Sequence, residues 1–459
     1  MYTRRCFLQR LGQVLLVTGL GHFWSAEICP SAQAASALPD GKHYPADYAD
    51  TLTVPRLRQI VGADPSSACT IMWEMPTAGD NIVVEYMHTE KEGAAWEKPS
   101  LAPNDINDSL SYIYTAHLTR LEADSRYVYR LVRGETATPW HNIKTAGFGR
   151  VTAIIVADSQ CGDNYDAWRD TIHAATKHFP HADFMADIGD LVDNGQSNYH
   201  WEMWYDACAD ILPDTLFVPV LGNHECYGLT WENSLPVGYY EQFSLPPNGS
   251  RRFGGDYYDF AYGPVHFYVL NTQFAELDGI IPTMKEAQMR WLRETAVRNN
   301  RPWQVILMHK DILSYNELNP HTQKYGGLND IAHLFMPVFD ELNIDLVLTG
   351  HMHTYRNRGH IYNFQPAEHG PVYVMCGLSG NQHYAVPKDE QFDRKTAPQP
   401  EKDSYLHLDA TAKRLQLDCY LSDGTAIDSI TLSRNSSNVK PHRDRRHNHT
   451  DNSRRIING

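Results

Sequence analysis

The sequence predicts an all-β sandwich over residues 51–147 followed by an α/β layered domain over residues 148–434. Period-two alternation fills the first segment. Short β-branched runs alternate with helix-period stretches in the second, and five polar blocks sit at the ends of those runs. A chain of 459 residues is comfortable for two domains, and 42% hydrophobic with 21% charged residues is ordinary for a soluble protein with a real core.

The chain opens on Thr3-Arg4-Arg5-Cys6-Phe7-Leu8-Gln9, a twin arginine with an apolar pair, then an apolar stretch from Leu11 to Trp24, then Ala32-Gln33-Ala34. This reads as a cleaved twin-arginine signal over residues 1–34. The apolar stretch is too short for a membrane span and is broken by Gly12, Gly19 and Gly21. Glu27 spoils a lipobox before Cys29. The expectation is therefore an exported protein, periplasmic or extracellular, with no membrane anchor after cleavage. Twin-arginine substrates cross folded, so a metal site can be loaded before export. Cys6 and Cys29 leave with the signal. Cys69, Cys161, Cys208, Cys226, Cys376 and Cys419 form no C-x-x-C pair, so neither a disulfide framework nor a zinc knuckle is indicated. Buried thiols are expected, with one bridge as the alternative.

Residues 35–50 are small and polar and read as a linker. In the sandwich, Ile71 and Trp73 alternate with Thr70, Met72 and Glu74, and the pattern repeats at Ile82, Val84, Tyr86 and at Tyr127, Tyr129, Leu131. Leu121 to Tyr127 has the form of a tyrosine corner. The segment holds no catalytic constellation. From Arg150 the expected strands are Val151 to Ala157, Phe184 to Ile188, Leu216 to Leu221, Val265 to Leu270, Trp303 to Met308 and Ile344 to Leu348, with helices at Trp168 to His178 and Lys285 to Val297. Residues 435–459 read as a solvated, disordered polar tail. Its His442, His447, His449 and arginines leave metal scavenging or adhesion to an anionic surface as a weaker alternative.

A net charge of −15 excludes a nucleic-acid binder working through a basic surface. Phosphate binding would need a local positive centre. The five blocks supply candidates: Asp158-Ser159-Gln160, Gly189 to Asp193, Gly222-Asn223-His224-Glu225, Met308-His309 and Gly350-His351-Met352-His353. Side chains at the carboxyl ends of strands converge on one crevice. Each block alone is weak; all five in order are not. Carboxylate, amide and imidazole without thiolate suit Mn, Fe or Zn. Asp190 is the natural bridge, Asp158 and His353 complete one metal, and Asn223, His309 and His351 the other. Two divalent ions bring roughly four positive charges against about three from two aspartates and a bridging hydroxide, so a positive centre remains for a phosphate.

These blocks resemble the calcineurin-like metallophosphoesterase superfamily and, within it, the purple acid phosphatases. Gly350 to Arg356 is similar to the motif G-H-x-H-x-Y-E-R, and Tyr257 to Phe267 to Y-Y-S-F-x-x-G-x-x-H-F; the likeness spans residues 51–434. It implies a fibronectin-III-like N-terminal sandwich, a four-layer α-β-β-α catalytic domain, a dinuclear metal pair and a hydroxide nucleophile. Two departures matter. Asp193 stands where that family has a tyrosinate ligand to iron, so the purple colour should be absent. Gln160 stands where the superfamily has histidine; it binds metal directly or acts one shell out. Asp193 also resembles the second aspartate of the serine/threonine protein phosphatases, which implies that it orients His224 as general acid. The phosphate-gripping arginine of those enzymes is Asn194 here. Trp201, Trp204, Tyr227, Trp231 and Tyr239 either line the mouth or pack. The expected function is an exported phosphomonoesterase acting on a small phosphate ester. The rivals are a phosphodiesterase on the same site and a catalytically silent binding protein.

Overall fold

The computed structural model describes residues 43–104, 106, 110–315 and 326–434. The expected signal, half of the expected linker and the expected tail lie outside these residues. The described part of that linker is not a free tether. His43 pairs with Ala94 in a β-bridge, its Nε2 lies 2.6 Å from Glu85 Oε1, and its ring stacks on Trp96.

The N-terminal segment is a sandwich. One of its sheets runs Ala95–Glu97, Val83–His88, Arg126–Arg133, Thr136–Ala137, with His141–Lys144 also on Arg126–Arg133. The tyrosine corner is present: the Glu122 N–H donates to Tyr127 Oη at 2.8 Å.

The other sheet does not end with the sandwich. Its strands Ser100–Pro103, Tyr112–Thr119, Ala68–Met75 and Arg58–Val61 continue into Leu216–Pro219, Phe184–Asp187, Arg150–Val156, Ser404–Thr411, Arg414–Leu421 and Ala426–Ser433 as one ten-stranded sheet. The joint is a parallel pairing of Gln59 with Leu216 and Ile60 with Phe217. Polar side chains lock it: Gln59 Nε2 donates to the Pro213 carbonyl (2.5 Å), Tyr129 Oη to the same carbonyl (2.8 Å), and Arg58 Nε to the Gln242 carbonyl (2.9 Å). The alternation expected of Ile71 and Trp73 with Thr70, Met72 and Glu74 lies on the strand Ala68–Met75, but it does not divide buried from exposed residues. Ile71 and Trp73 face the inter-sheet core, but Thr70, Met72 and Glu74 are buried too: Thr70 Oγ1 lies 3.1 Å from His117 Nδ1, Glu74 accepts from Arg56 (2.8 Å) and Asn104 (3.1 Å), and Met72 Sδ accepts from the Ser244 N–H of the catalytic domain.

A second sheet runs Tyr258–Tyr262, Val265–Leu270, Trp303–Met308, Leu346–Thr349, Val372–Cys376, Tyr355–Tyr362, Gln365–Pro366, with Lys395–Thr396 on Tyr355–Tyr362. It stacks on the first through Ala153, Ile155, Phe184 and Val218 on one side and Phe260, Phe267, Val305 and Leu348 on the other. The opposite faces, carrying Ile154, Val156, Ile306 and Val347, pack under the helices Asp166–His178, Asn198–Ala207, Met284–Arg298 and Asp330–Leu342. Strands buried on both faces read as continuous apolar runs, as these do. The catalytic part is thus the four-layer α-β-β-α architecture. Six cysteines are buried and free among the described residues. No helix among them is long and apolar enough to cross a membrane.

Candidate metal centre

All five blocks lie just past the carboxyl ends of parallel strands, three on the ten-stranded sheet and two on its partner. The site is therefore built across the edge of two stacked sheets, where both sets of strand ends meet. The turns there are tight. Asp158, Asp190, His351 and His353 take φ of 52°, 54°, 78° and 50°, a region that costs non-glycine residues of order 1–3 kcal/mol each. Such strain persists only where the surroundings enforce it. A Cβ on Gly222 would collide with the Asp190 amide nitrogen and Oδ1. Glu225 holds the same corner: its buried carboxylate accepts from the N–H groups of Asp190 (3.2 Å), Leu191 (2.9 Å), Val192 (3.2 Å) and Gly222 (2.8 Å). Burial, with Asp190 nearby, pushes Glu225 up to about 7.

Two sets of side chains converge: Asp190, His309 and His351, and Asp158, Asp190 and His353, each with ligand atoms within 4.8 Å of one another. Asp190 is common to both. His309 donates Nδ1–H to the Ile188 carbonyl (2.9 Å), which turns Nε2 inward, 3.0 Å from Asp190 Oδ2 and 3.1 Å from Asn223 Oδ1. His353 donates Nδ1–H to the Gln382 carbonyl (2.5 Å), leaving Nε2 3.6 Å from Asp158 Oδ1. His351 Nδ1 is buried and has no hydrogen-bond partner, and its N–H donates to Asp158 Oδ1 and Oδ2 at 2.9 Å.

Gln160, fully buried, closes the floor. Its Nε2 lies 3.2 Å from His353 Nε2, and its Oε1 has no partner. These orphaned atoms and inward lone pairs are what a dinuclear centre consumes, so the residues fit one.

The electrostatics agree. Burial pushes Asp158 well above the carboxylate range, whereas Asp190, beside His309 and His224, is held well below it despite burial. Burial alone would depress His309, but Asp190 and Asp158 lift it to about 9. Burial keeps His351 and His353 neutral, the latter down to about 4, with lone pairs available.

His224 sits beside this cluster. Its N–H donates to Asp190 Oδ1 (2.8 Å), and its ring Nε2 is 3.9 Å from Asp190 Oδ2. The expected Asp193–His224 pairing has two contacts of unequal length. His224 Nδ1 bonds the main-chain carbonyl of Asp193 at 2.6 Å, while the Asp193 Oδ1 lies 3.8 Å away and accepts from Gln382 Nε2 (3.3 Å). Asn194 grips nothing in the site; its Nδ2 donates to the Gly228 carbonyl (2.9 Å) and its Oδ1 accepts from Gln196. Of the five aromatic candidates, Trp201, Trp204 and Tyr239 are core, whereas Tyr227 and Trp231 approach His224 with ring centroids 5.9 and 5.8 Å away.

Sequence reasoning missed three participants. Gln382 orients His353, and Tyr384 stacks on its ring at 4.1 Å. Lys310, next to His309, pairs with Glu276 at 2.7 Å. Gln382 and Tyr384 lie in an irregular loop without periodicity or motif. Lys310 adjoins a quoted block and could have been weighed.

Residues 151–355 match the calcineurin-like phosphoesterase family, and residues 55–145 match the purple acid phosphatase N-terminal domain. The chain therefore carries a calcineurin-like metallophosphoesterase domain behind a purple acid phosphatase N-terminal domain, the make-up of a phosphoric ester hydrolase, and its converging donors are those that could hold two metal ions. With that N-terminal domain it is, more narrowly, purple-acid-phosphatase-like. It is 24% identical over 363 residues to Purple acid phosphatase 23 of Arabidopsis thaliana, covering 69% of this chain and 72% of that protein. It is 24% identical to Purple acid phosphatase 13 of the same plant, but over only 40% of that protein's length. Among solved structures, a purple acid phosphatase from yellow lupin seeds aligns with TM-score 0.70 at 18% identity, covering 84% of this chain and 75% of that one. PhoD aligns with TM-score 0.57 at 14% identity, covering 85% and 90%. At these identities the structural likeness speaks to fold alone.

Proposed function

We propose an exported phosphomonoesterase of small phosphate esters in which His224 is the general acid. The observation that carries this is the placement of His224 Nε2, 3.9 Å from the shared carboxylate Asp190, with the ring fixed from behind by the Asp193 carbonyl at 2.6 Å. Asp158, Asp190, His353 and Gln160 would hold one metal, and Asp190, Asn223, His309 and His351 the other, with Mn, Fe or Zn suiting the donors. When bound, the pair supplies Lewis acidity and lowers the pKa of a water.

The protein's own groups do the rest. The carbonyl of Asp193 selects the Nδ1–H form of His224, so that a second proton resides on Nε2, facing the site. Burial opposes that proton, but Asp190, Asp193 and Glu225 together raise the His224 pKa above the usual imidazole value. The Nε2 proton is then available to the departing ester oxygen. Asp193, in the tyrosinate position, supplies no phenolate. The nearby Tyr165 is spoken for, its Oη accepting from the Asp193 N–H at 3.3 Å.

The test is leaving-group dependence in His224→Ala. An alkyl phosphate should lose roughly 10²- to 10⁴-fold, the range for general acids, and an aryl phosphate far less. Equal losses would remove the role.

A phosphodiesterase on the same site is the second reading. It is favoured by Asn194, whose side chain is committed to the Gly228 carbonyl, leaving no guanidinium there to grip a dianion. Aryl mono- and diesters assayed side by side on metal-reconstituted protein separate the two.

A further inference from the structure

The loop after the third block carries more engineering than a connection needs. Tyr227 and Asn233 pair as a β-bridge, Gly228 N–H donates to the Glu232 carbonyl (2.7 Å), and Trp231 N–H donates back to the Gly228 carbonyl (2.9 Å). Glu232 also accepts from Thr230 Oγ1 at 2.6 Å and from its N–H at 3.2 Å. At the tip stands Trp231 with φ 67°, a left-handed conformation that a bulky residue rarely takes. Its side chain is not sequestered in return, because Trp231 is 54% exposed.

What the strained position does achieve is proximity. The indole meets His224 edge-on at 5.8 Å and 89°, and Tyr227 at 5.9 Å and 51°. Among the described residues no aromatic ring stacks flat on it, and just over half of the residue is open to solvent. His224 is the group that would meet the leaving oxygen, so whatever is attached to that oxygen departs beside the indole.

We propose that Trp231 is a stacking platform for the leaving group. The preferred substrates are then phosphate esters whose alcohol carries a planar aromatic ring. This rests on the phosphoesterase reading with His224 on the leaving-group side. A general acid matters most for a poor alkoxide leaving group and a platform only for a planar one; a nucleoside monophosphate needs both, an aryl phosphate only the second.

The experiment uses the metal-reconstituted full chain with phenyl phosphate, adenosine 5′-monophosphate and glycerol phosphate. The variants are Trp231→Gly, which suits the positive φ and so should not lower Tm, and Trp231→Phe, which keeps a ring. Trp231→Gly should lower kcat/KM on at least one ring ester by roughly 5- to 100-fold relative to glycerol phosphate, the range of base–aromatic stacking. The loss should fall mainly in KM, and Trp231→Phe should recover most of it. Greater loss on the nucleotide places the ring one sugar from the phosphorus, and greater loss on the phenyl ester places it directly on the oxygen. Parallel losses on all three esters, or none, overturn the platform while leaving the hydrolase intact. If the unsubstituted protein turns over none of the three, the phosphomonoesterase reading falls and this inference falls with it.

Discussion

Gln160 and His353, 193 residues apart in the chain, meet in the floor of the metal centre. The amide nitrogen lies 3.2 Å from the imidazole Nε2, and the amide oxygen is buried without a partner. The Nδ1–H of His353 is committed to Gln382, so Nε2 bears a lone pair. A metal held by that lone pair would deprive the amide of its acceptor, and Gln160 would then be free to offer the metal its unpartnered oxygen.

Gln160→Ala should therefore bind one of two metal equivalents about 10- to 100-fold more weakly, and Gln160→His should restore or exceed the original affinity. Titration calorimetry and metal content after dialysis against graded chelator read this without any assay of turnover. Two equally tight equivalents in Gln160→Ala would show that the amide is a bystander.

Asp193→Asn distinguishes a carboxylate partner for His224 from a carbonyl one. Since the bond runs to the main chain, the variant should stay within about tenfold of the original kcat on an alkyl phosphate, while His224→Ala falls by roughly 10²-fold or more. A collapse of Asp193→Asn to the level of His224→Ala would make the carboxylate, 3.8 Å away, the working partner after all.

Gly222→Ala puts a methyl group into the Asp190 main chain and carboxylate. Asp190 is common to both donor sets, so its displacement should cost both metal equivalents together, along with roughly 1–3 kcal/mol of stability from overpacking. Chelator titration and urea unfolding check it; a variant with one equivalent lost and one retained contradicts a shared Asp190.

Asp256 offers a pH signature away from the metals. Burial pushes its carboxyl up to about 6, against hydrogen bonds from Tyr240 Oη (2.6 Å) and Asn271 Nδ2 (3.2 Å). The folded state then holds the proton more tightly than the unfolded chain, so the contribution to stability is fully present below about pH 4 and lost as pH rises through about 6. Asp256→Asn should match the original protein near pH 4 and exceed its unfolding free energy at pH 7.5 by on the order of 3 kcal/mol. A difference that does not change with pH would mean that Asp256 does not titrate in this range.

How much of this was legible varies by residue. Asp158, Asp190, Asn223, His309, His351 and His353 could be read because each follows an apolar run ending in a strand, and strand ends converge. The expected runs lie within two residues of the observed strands Arg150–Val156, Phe184–Asp187, Leu216–Pro219, Val265–Leu270, Trp303–Met308 and Leu346–Thr349. The continuity of the ten-stranded sheet was not legible. Gln59 and Leu216 carry no mark of their pairing, since main-chain hydrogen bonds are indifferent to the side chains above them. Tyr384 and Gln382 were invisible for a related reason: an irregular loop has no period to read.

By itself, then, the sequence determined the donor chemistry of the centre and the strand ends on which it sits, because residue type and hydrophobic period are local properties. Tertiary structure alone decided direction. It turned the carbonyl of Asp193, not its carboxylate, closest to His224, set the Gln160 amide nitrogen against His353 with its oxygen buried and unpartnered, and held the Trp231 indole out beside His224. Those outcomes depend on backbone angles such as the positive φ of Trp231, and two of the three on partners 31 and 193 residues distant, which residue type and hydrophobic period do not encode.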